Sequence, residues 1–421
     1  MPAPKPTTAY RPRVVDSELS ERLAAQGAVL IEGPKACGKT ETARQLAASE
    51  VLLDVDVNAR EAVAVDPALV LAGDMPRLID EWQIEPTVWN HVRRWVDDGR
   101  GQFILTGSAV PAEDVTRHTG AARISRLHMR PMSLSEIGRS TRQVSLAALL
   151  SGAVTKAGDP GLSLTDLIEE ICRGGWPGFR HLGLTQARRA VRDYLDEIRR
   201  ADINSVDGVT RDPERVRRLL QNLARNVATR APITTLAADA AGAAGTMTDN
   251  TARGYLAALT RLMIVEDQPS WTPHLRSKAD LRTTPARHFV DPSLAVAALA
   301  ATPEQLMRDL NLCGLLFESL VVRDLRIYAQ ALDGRVTQYR DNKGVEVDAI
   351  VETDDGRWAA FEIKLGPGRV EEAAASLGAF ARKIDTAKSG APAVLGVITG
   401  SGYGYVRDDG IHVVPIGALG P

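Results

Sequence analysis

The chain has 421 residues, of which 44% are hydrophobic and 25% charged, with a formal net charge of −2 at pH 7. That length exceeds one ordinary hydrophobic core, so two or three domains are expected, and the composition is that of a soluble globular protein. The near-zero charge excludes a basic footprint over the whole chain, so any nucleic-acid contact has to be a local patch. Three cysteines, Cys37, Cys172 and Cys313, lie far apart in the sequence. Their spacing excludes a disulfide framework and a zinc cluster and points to a reducing, cytoplasmic location. The start, "MPAPKPTTAYRPR", is Pro-rich and basic without an apolar signal core. No run of about 18 apolar residues occurs, so no membrane contact is expected.

In chain order, residues 1–17 read as a flexible N-terminus. Residues 18–140 alternate short apolar runs with charged helical segments. The runs are "AVLIE", "VLLDVDV", "RLID", "QFILTGS" and "RISRLHM". Alternation of this kind predicts an α/β domain with a parallel sheet covered on both faces. A Ser/Ala/Gly-rich stretch around "KAGDPG" marks a boundary, and residues 141–300 read as mainly helical. There "ITTLAADA" and "TDNTARGYLAALTRLMIVED" give helix, turn, helix and strand, an order that resembles a winged helix. Residues 301–421 predict a long helix from "CGLLFESL", strands "VTQYRD", "EVDAIVE" and "WAAFEIK", a helix "RVEEAAASLGAFARK", and strands "AVLGVIT" and "HVVPI".

The strand "AVLIE" leads into Gly33-Pro34-Lys35-Ala36-Cys37-Gly38-Lys39-Thr40, a full match to G-x-x-x-x-G-K-[ST], and an Ala/Leu-rich helix leads out from Glu41. A Gly-rich loop between strand and helix turns backbone N–H groups around phosphates. Lys39 then reaches the β- and γ-phosphates of ATP, and the Thr40 hydroxyl ligates Mg²⁺. Cys37 is either a redox handle or a small filler. About 50 residues on, "RLIDEWQ" offers Asp80 to complete the Mg²⁺ shell and Glu81 to polarise the attacking water. In "FILTGSA", Thr106 and Ser108 are candidates to read the γ-phosphate at a strand tip.

These motifs, with "RHTGAARISRLHMRPMSLSEIG", resemble the AAA-type ATPase module of a large prokaryotic family. In that family a domain of unknown function follows the ATPase and ends in a nuclease-like segment, which "CRGGWPGF" and "YRDNKGVEVDAIV…FEIK" resemble. The resemblance implies an arginine near phosphate in a Gly-Arg step. Here the step reads Ala122-Arg123, with Arg126 as the fallback.

The last third carries a second group of acids. A metal-dependent phosphodiesterase needs carboxylates converging on one hard cation, with a lysine to polarise water or steady the phosphate. Asp348 and Glu362 lie on adjacent predicted strands, Lys364 follows on the face of Glu362, and Glu318 on the preceding helix supplies a third carboxylate. The order helix, three strands, helix, strand resembles the restriction-endonuclease-like fold, and the resemblance implies a site for Mg²⁺ or Mn²⁺. A Glu-x-Lys pair is also common as a charge couple on a solvent-facing strand. In the middle, Arg253 and Arg261 are candidates to contact a duplex backbone, against a plain solvated helix face.

The expected protein is therefore an ATP hydrolase controlling a nucleic-acid-binding C-terminal domain, DNA favoured, with nuclease activity left open. The alternative is an ATP-dependent switch, of the defence or toxin–antitoxin type, whose nuclease-like domain binds a protein partner without cutting. A homo-oligomer fits either reading.

Overall fold

The structure is a computed structural model that describes residues 9–107, 120–240, 247–273 and 284–421. It divides into two compact units. The first takes in residues 9–32, 38–107 and 120–128; the second takes in residues 33–37 and the described residues from Met129 to Pro421.

Five parallel strands form the first unit: β1 (Ala28–Glu32), β2 (Ser49–Leu52), β3 (Arg77–Asp80), β4 (Phe103–Gly107) and β5 (Ile124–His128), in the order β2-β3-β4-β1-β5. β1 and β4 are apolar almost without a break because both faces are covered. Leu30, Ile79, Trp82, Trp89, Phe103 and Leu105 meet in one core. Since all the strands run the same way, their C-terminal ends share one edge of the sheet. That edge is where an open α/β sheet places its ligands.

Two expectations change here. The strand expected through "VLLDVDV" ends at Leu52, because the Asp56 carboxylate accepts a hydrogen bond from the Ala59 amide (3.0 Å) and caps a helix, Val57–Val65. The expected flexible segment 1–17 carries structure from its second half onward. The Tyr10 hydroxyl donates to Asp16 (2.6 Å), and a helix begins at Val15.

In the second unit a short β6 (Val144–Ser145) precedes a run of helices, among them Leu164–Arg173, Leu184–Glu197, Pro213–Arg225, Ile233–Asp239 and Asp249–Arg261. An antiparallel pair follows, β7 (Val265–Gln268) with β8 (Ala286–Phe289). The long helix Leu310–Gln330 then leads into β9 (Gly334–Arg340), β10 (Glu346–Thr353) and β11 (Trp358–Lys364). The helix Val370–Ala381 crosses to β12 (Val394–Thr399), and β13 (Tyr405–Val406), β14 (His412–Pro415) and β15 (Leu419–Gly420) complete the chain. The large sheet has the order β13-β14-β12-β11-β10-β9. β9, β10 and β11 pair antiparallel, whereas β11, β12 and β14 pair parallel. β15 pairs with β6.

Packing crosses the expected boundary at 300/301. The buried Arg323 guanidinium, on the long helix, pairs with Asp291 (2.7 Å) and Asp324 (2.7 Å). Asp291 also accepts from the Gly175 amide (2.9 Å), and Asp324 accepts from the Leu134 amide (2.9 Å). Gly175 has to be glycine, because a Cβ there would sit 2.0 Å from the Met132 carbonyl oxygen. Trp271, from beyond β7, stacks on Trp358 of β11 with ring centroids 4.8 Å apart.

Candidate functional site

The loop 33–38 leaves β1 and enters the helix Lys39–Arg44. Its backbone turns through left-handed conformations at Ala36 (φ 61°) and Gly38 (φ 105°). Gly33 is confined too, since a Cβ would lie 2.2 Å from the Met129 carbonyl oxygen. Lys39 is buried. The Thr40 hydroxyl donates to Asp80 Oδ1 (2.9 Å), and the Thr106 hydroxyl donates to the same oxygen. Asp80 closes β3 beside β4, so the parallel register brings Thr106 alongside it. Glu81 follows in a left-handed conformation (φ 52°), with its carboxylate accepting from the Gln83 amide.

Several expected nucleotide-loop residues use their side chains locally. Lys35 pairs with Asp202 (2.6 Å), and Glu41 accepts from Arg44 (2.6 Å). Cys37 is fully buried with its thiol 3.7 Å from the Met129 carbonyl oxygen, the position of a filler. Ser108 lies outside the described residues.

The arginines separate by register. Ile124 of β5 pairs with Ala28, and His128 pairs with Glu32. Arg123 therefore stands at the start of the sheet, away from the loop by the length of β1, about 16 Å at roughly 3.3 Å per residue. Its guanidinium pairs with Asp97 (2.6 Å). Arg126 pairs with Glu32, next to Gly33. An Arg123 that touches the nucleotide held by its own loop does not fit this register; the fallback stands nearer.

In the second unit β10 and β11 bring the other acids together. Asp348 Oδ2 accepts from the Ile363 amide (2.8 Å) and from Lys364 Nζ (3.1 Å). Lys364 Nζ also reaches Glu362 Oε2 (2.5 Å), and the Ser376 hydroxyl donates to Glu362 Oε1 (3.3 Å) from the helix that covers this face. Burial, then the neighbouring Asp348, pushes the Glu362 carboxyl up to about 8. Burial and Asp348 likewise hold Glu318, on the long helix, well above the usual carboxylate range. Lys364 is raised against its own burial by Asp348 and Glu362.

In the structure the expected three-carboxylate group has a lysine among its acids. Among the described residues no three His, Cys, Asp or Glu side chains gather in an arrangement that could hold a metal ion. The Lys364 ammonium lies between Asp348 and Glu362 and supplies the positive charge itself.

One residue of this site escaped the sequence reading. Arg230 donates to Gln338 (2.9 Å) and pairs with Glu346 (3.3 Å) at the start of β10. Arg340 also pairs with Glu346 (3.0 Å), and Lys383 pairs with Asp341 (2.6 Å) in the turn before β10. No local pattern announces Arg230, because it arrives from a separate helical region. Of the two arginines expected on a duplex, Arg253 is exposed, whereas Arg261 donates to the Val206 carbonyl (2.9 Å).

Comparison with known families accounts for three stretches. Residues 25–138 match the family model described as AAA domain. The N-terminal region is an AAA-type P-loop ATPase domain. Residues 164–305 and 313–419 match two models described as domains of unknown function, DUF8612 and DUF4143. Among solved structures, the chain is similar to a Walker-type ATPase of Pyrococcus abyssi at 12% identity and a TM-score of 0.40, covering 67% of this chain and 94% of the other. It is similar to a variant of RuvB from Thermotoga maritima at 17% identity and a TM-score of 0.26, covering 61% of this chain and 89% of the other. No curated protein matches the chain.

The donors at the sheet edge fit the ligands of an ATPase domain. Thr40 and Asp80 present a hydroxyl and a carboxylate oxygen, the hard donors Mg²⁺ requires. Among the described residues no helix is long and apolar enough to cross a membrane.

Proposed function

We propose that the protein hydrolyses ATP at its N-terminal loop and uses the nucleotide state to control a nucleic-acid-binding site in its C-terminal region. Lys39 would steady the phosphates, and Thr40 and Asp80 would hold Mg²⁺. Glu81 would position the attacking water. When bound, Mg²⁺ supplies charge neutralisation at the phosphates. The ATPase domain supports the first half of this reading.

The second half rests on one observation, the Asp348–Lys364–Glu362 constellation on paired strands. Two carboxylates and a lysine at the end of adjacent strands, in the order helix, three strands, helix, strand, resemble the site of restriction-endonuclease-like enzymes. Arg230, Arg340 and Lys383 stand near the entry to β10, paired with Glu346 and Asp341, and such a charged rim suits a phosphodiester backbone better than an apolar partner. DNA is the favoured ligand; for cutting, Asp348 and Glu362 would hold Mg²⁺ or Mn²⁺ only once Lys364 has moved from between them. Arg123, at the far end of the sheet, would serve a neighbour's nucleotide in a homo-oligomer.

The alternative switch, which binds a protein partner without cutting, is favoured by the same lysine bridge. A site that neutralises its own carboxylates has no need of a metal to stay folded. Incubation with linear, branched and single-stranded DNA, with and without ATP and Mn²⁺, separates the two. Cleavage lost in Asp348→Asn/Glu362→Gln supports the nuclease. DNA that is neither bound nor cut by the parent protein overturns the nucleic-acid reading.

A further inference from the structure

Asp348 lies in a break in the sheet. Val347 pairs with Tyr339 and Ile350 with Thr337, so two residues of β10, Asp348 and Ala349, face one residue of β9. That is a β-bulge, a device that re-aims a side chain and leaves ladder groups unpaired. Its effect on phase is visible in the core. Val347 and Ile350, three apart, both pack beneath the covering helix with Leu377 and Phe380, which a regular strand forbids. Pairing of β10 with β11 stops at Ala349 and Phe361, and the Asp348 carboxylate takes the Ile363 amide instead.

Something has to supply hydrogen bonds to the carbonyls the bulge leaves behind. Gln268, fully buried at the end of β7, donates from one amide nitrogen to both Asp348 O (2.9 Å) and Thr337 O (3.0 Å). Both amide hydrogens are thereby used. Its oxygen is 2.9 Å from His288 Nε2 on β8. Burial pushes the His288 ring down to about 3, so the neutral ring donates from Nε2 and fixes which way the amide points. β7 and β8 thus hold a strand that lies far along the chain from either of them.

We propose that Gln268 is a positioning residue for Asp348: its side-chain amide holds the bulge that turns the Asp348 carboxylate toward Lys364 and the Ile363 amide, and His288 orients that amide. The proposal rests on the reading of Asp348, Glu362 and Lys364 as the acting site. Gln268 touches no reacting group. It sets where one does.

The test is amide hydrogen exchange in the full-length protein, without metal or DNA. Gln268→Leu keeps the volume and removes both donors. It is expected to speed exchange at Ile363 about tenfold, the worth of one buried hydrogen bond, and to leave Val397 on β12 unchanged. Asp348→Ala should raise Ile363 equally, and the double variant should add nothing. Should Gln268→Leu fail to fold, His288→Phe frees the amide while keeping a ring, and a smaller rise confined to Ile363 is expected. Unchanged exchange at Ile363, or an equal rise at Ile363 and Val397, overturns the proposal, since the second pattern is general loosening. If the parent cuts DNA with Mn²⁺, Gln268→Leu should lower kcat by about 10²-fold with KM nearly unchanged. A parent that does not cut sinks the nuclease reading alone, because the exchange measurement judges Gln268 independently.

Discussion

Two aspartates mark the two candidate sites of this molecule, Asp80 at the end of β3 and Asp348 near the start of β10, and they are kept in opposite ways. Asp80 receives two neutral hydroxyls, from Thr40 and Thr106, so its negative charge stays uncompensated by these donors. Asp348 and Glu362 share the ammonium of Lys364. The first arrangement suits a cation that arrives with the nucleotide. The second has its cation built in, so an entering metal has to displace or move the lysine. An acid waiting for charge and an acid already satisfied make different demands on their ligands. The ATPase site should therefore be the one that depends on Mg²⁺ most simply.

The largest effect should come from the loop. Lys39→Ala is expected to bring ATP hydrolysis below detection while leaving the circular dichroism spectrum unchanged; hydrolysis at the parent rate would remove the loop from the mechanism. Next, Glu81→Gln should retain ATP binding and slow turnover by about 10²- to 10⁴-fold, the usual worth of a general base. Equilibrium binding and steady-state rates measured side by side check it, and loss of both together would mark Glu81 as a binding residue instead.

The comparison is sharpened by removing the built-in cation. Lys364→Met should destabilise the second unit by about 3–5 kcal/mol, because Asp348 and the buried Glu362 lose the cation between them. Mn²⁺ should restore part of the loss by mass action, as read in thermal unfolding. If Mn²⁺ raises the melting temperature of parent and variant equally, the metal binds elsewhere.

A pH profile gives a signal with a definite sign. The Glu362 carboxyl ionises near 8 in the folded protein and near 4.5 when unfolded. Between those values the folded state keeps a proton that the unfolded chain has released. Its contribution is complete below pH 4.5 and is lost as pH rises toward 8, at up to about 1.4 kcal/mol per pH unit. Glu362→Gln should flatten that slope in urea titrations; a slope that survives belongs to another group, with Glu318 the first to examine. The smallest effect is expected from Arg123→Ala. In dilute monomer its hydrolysis rate should match the parent, because the residue stands at the wrong end of the sheet for its own loop. A large loss under those conditions would show that the register argument misses a rearrangement on ATP binding.

The parts of this fold that were legible in the sequence are those written locally. β1, β3, β4 and β5 sit where the residues predict, and β1 and β4 stand out because parallel strands buried on both faces cannot hide among polar residues. Asp80 and Glu81 are candidates by their spacing from the loop, and the structure sets Asp80 beside Thr40. β2 was overextended, since Asp56 reads as part of an apolar run until its capping bond to Ala59 is seen. The second, proposed site was half legible. Asp348, Glu362 and Lys364 announce themselves on two neighbouring strands, but the bulge does not, because a one-residue slip leaves no mark in composition. Arg230, Gln268 and His288 were invisible for a different reason. Each reaches the site through tertiary packing from a segment with no motif, and each would pass for an ordinary polar residue anywhere else.

The place of β1 in its sheet has a consequence for the ribosome. This strand carries the nucleotide loop, yet its two neighbours, β4 and β5, are Phe103–Gly107 and Ile124–His128. A nascent chain that has exposed the whole loop and its helix still has a bare interior strand with both hydrogen-bonding edges open. Only when His128 has cleared the exit tunnel can the strand be enclosed on both edges. A chaperone that covers exposed apolar strands meets its longest task here, in the interval between the emergence of Glu32 and that of His128.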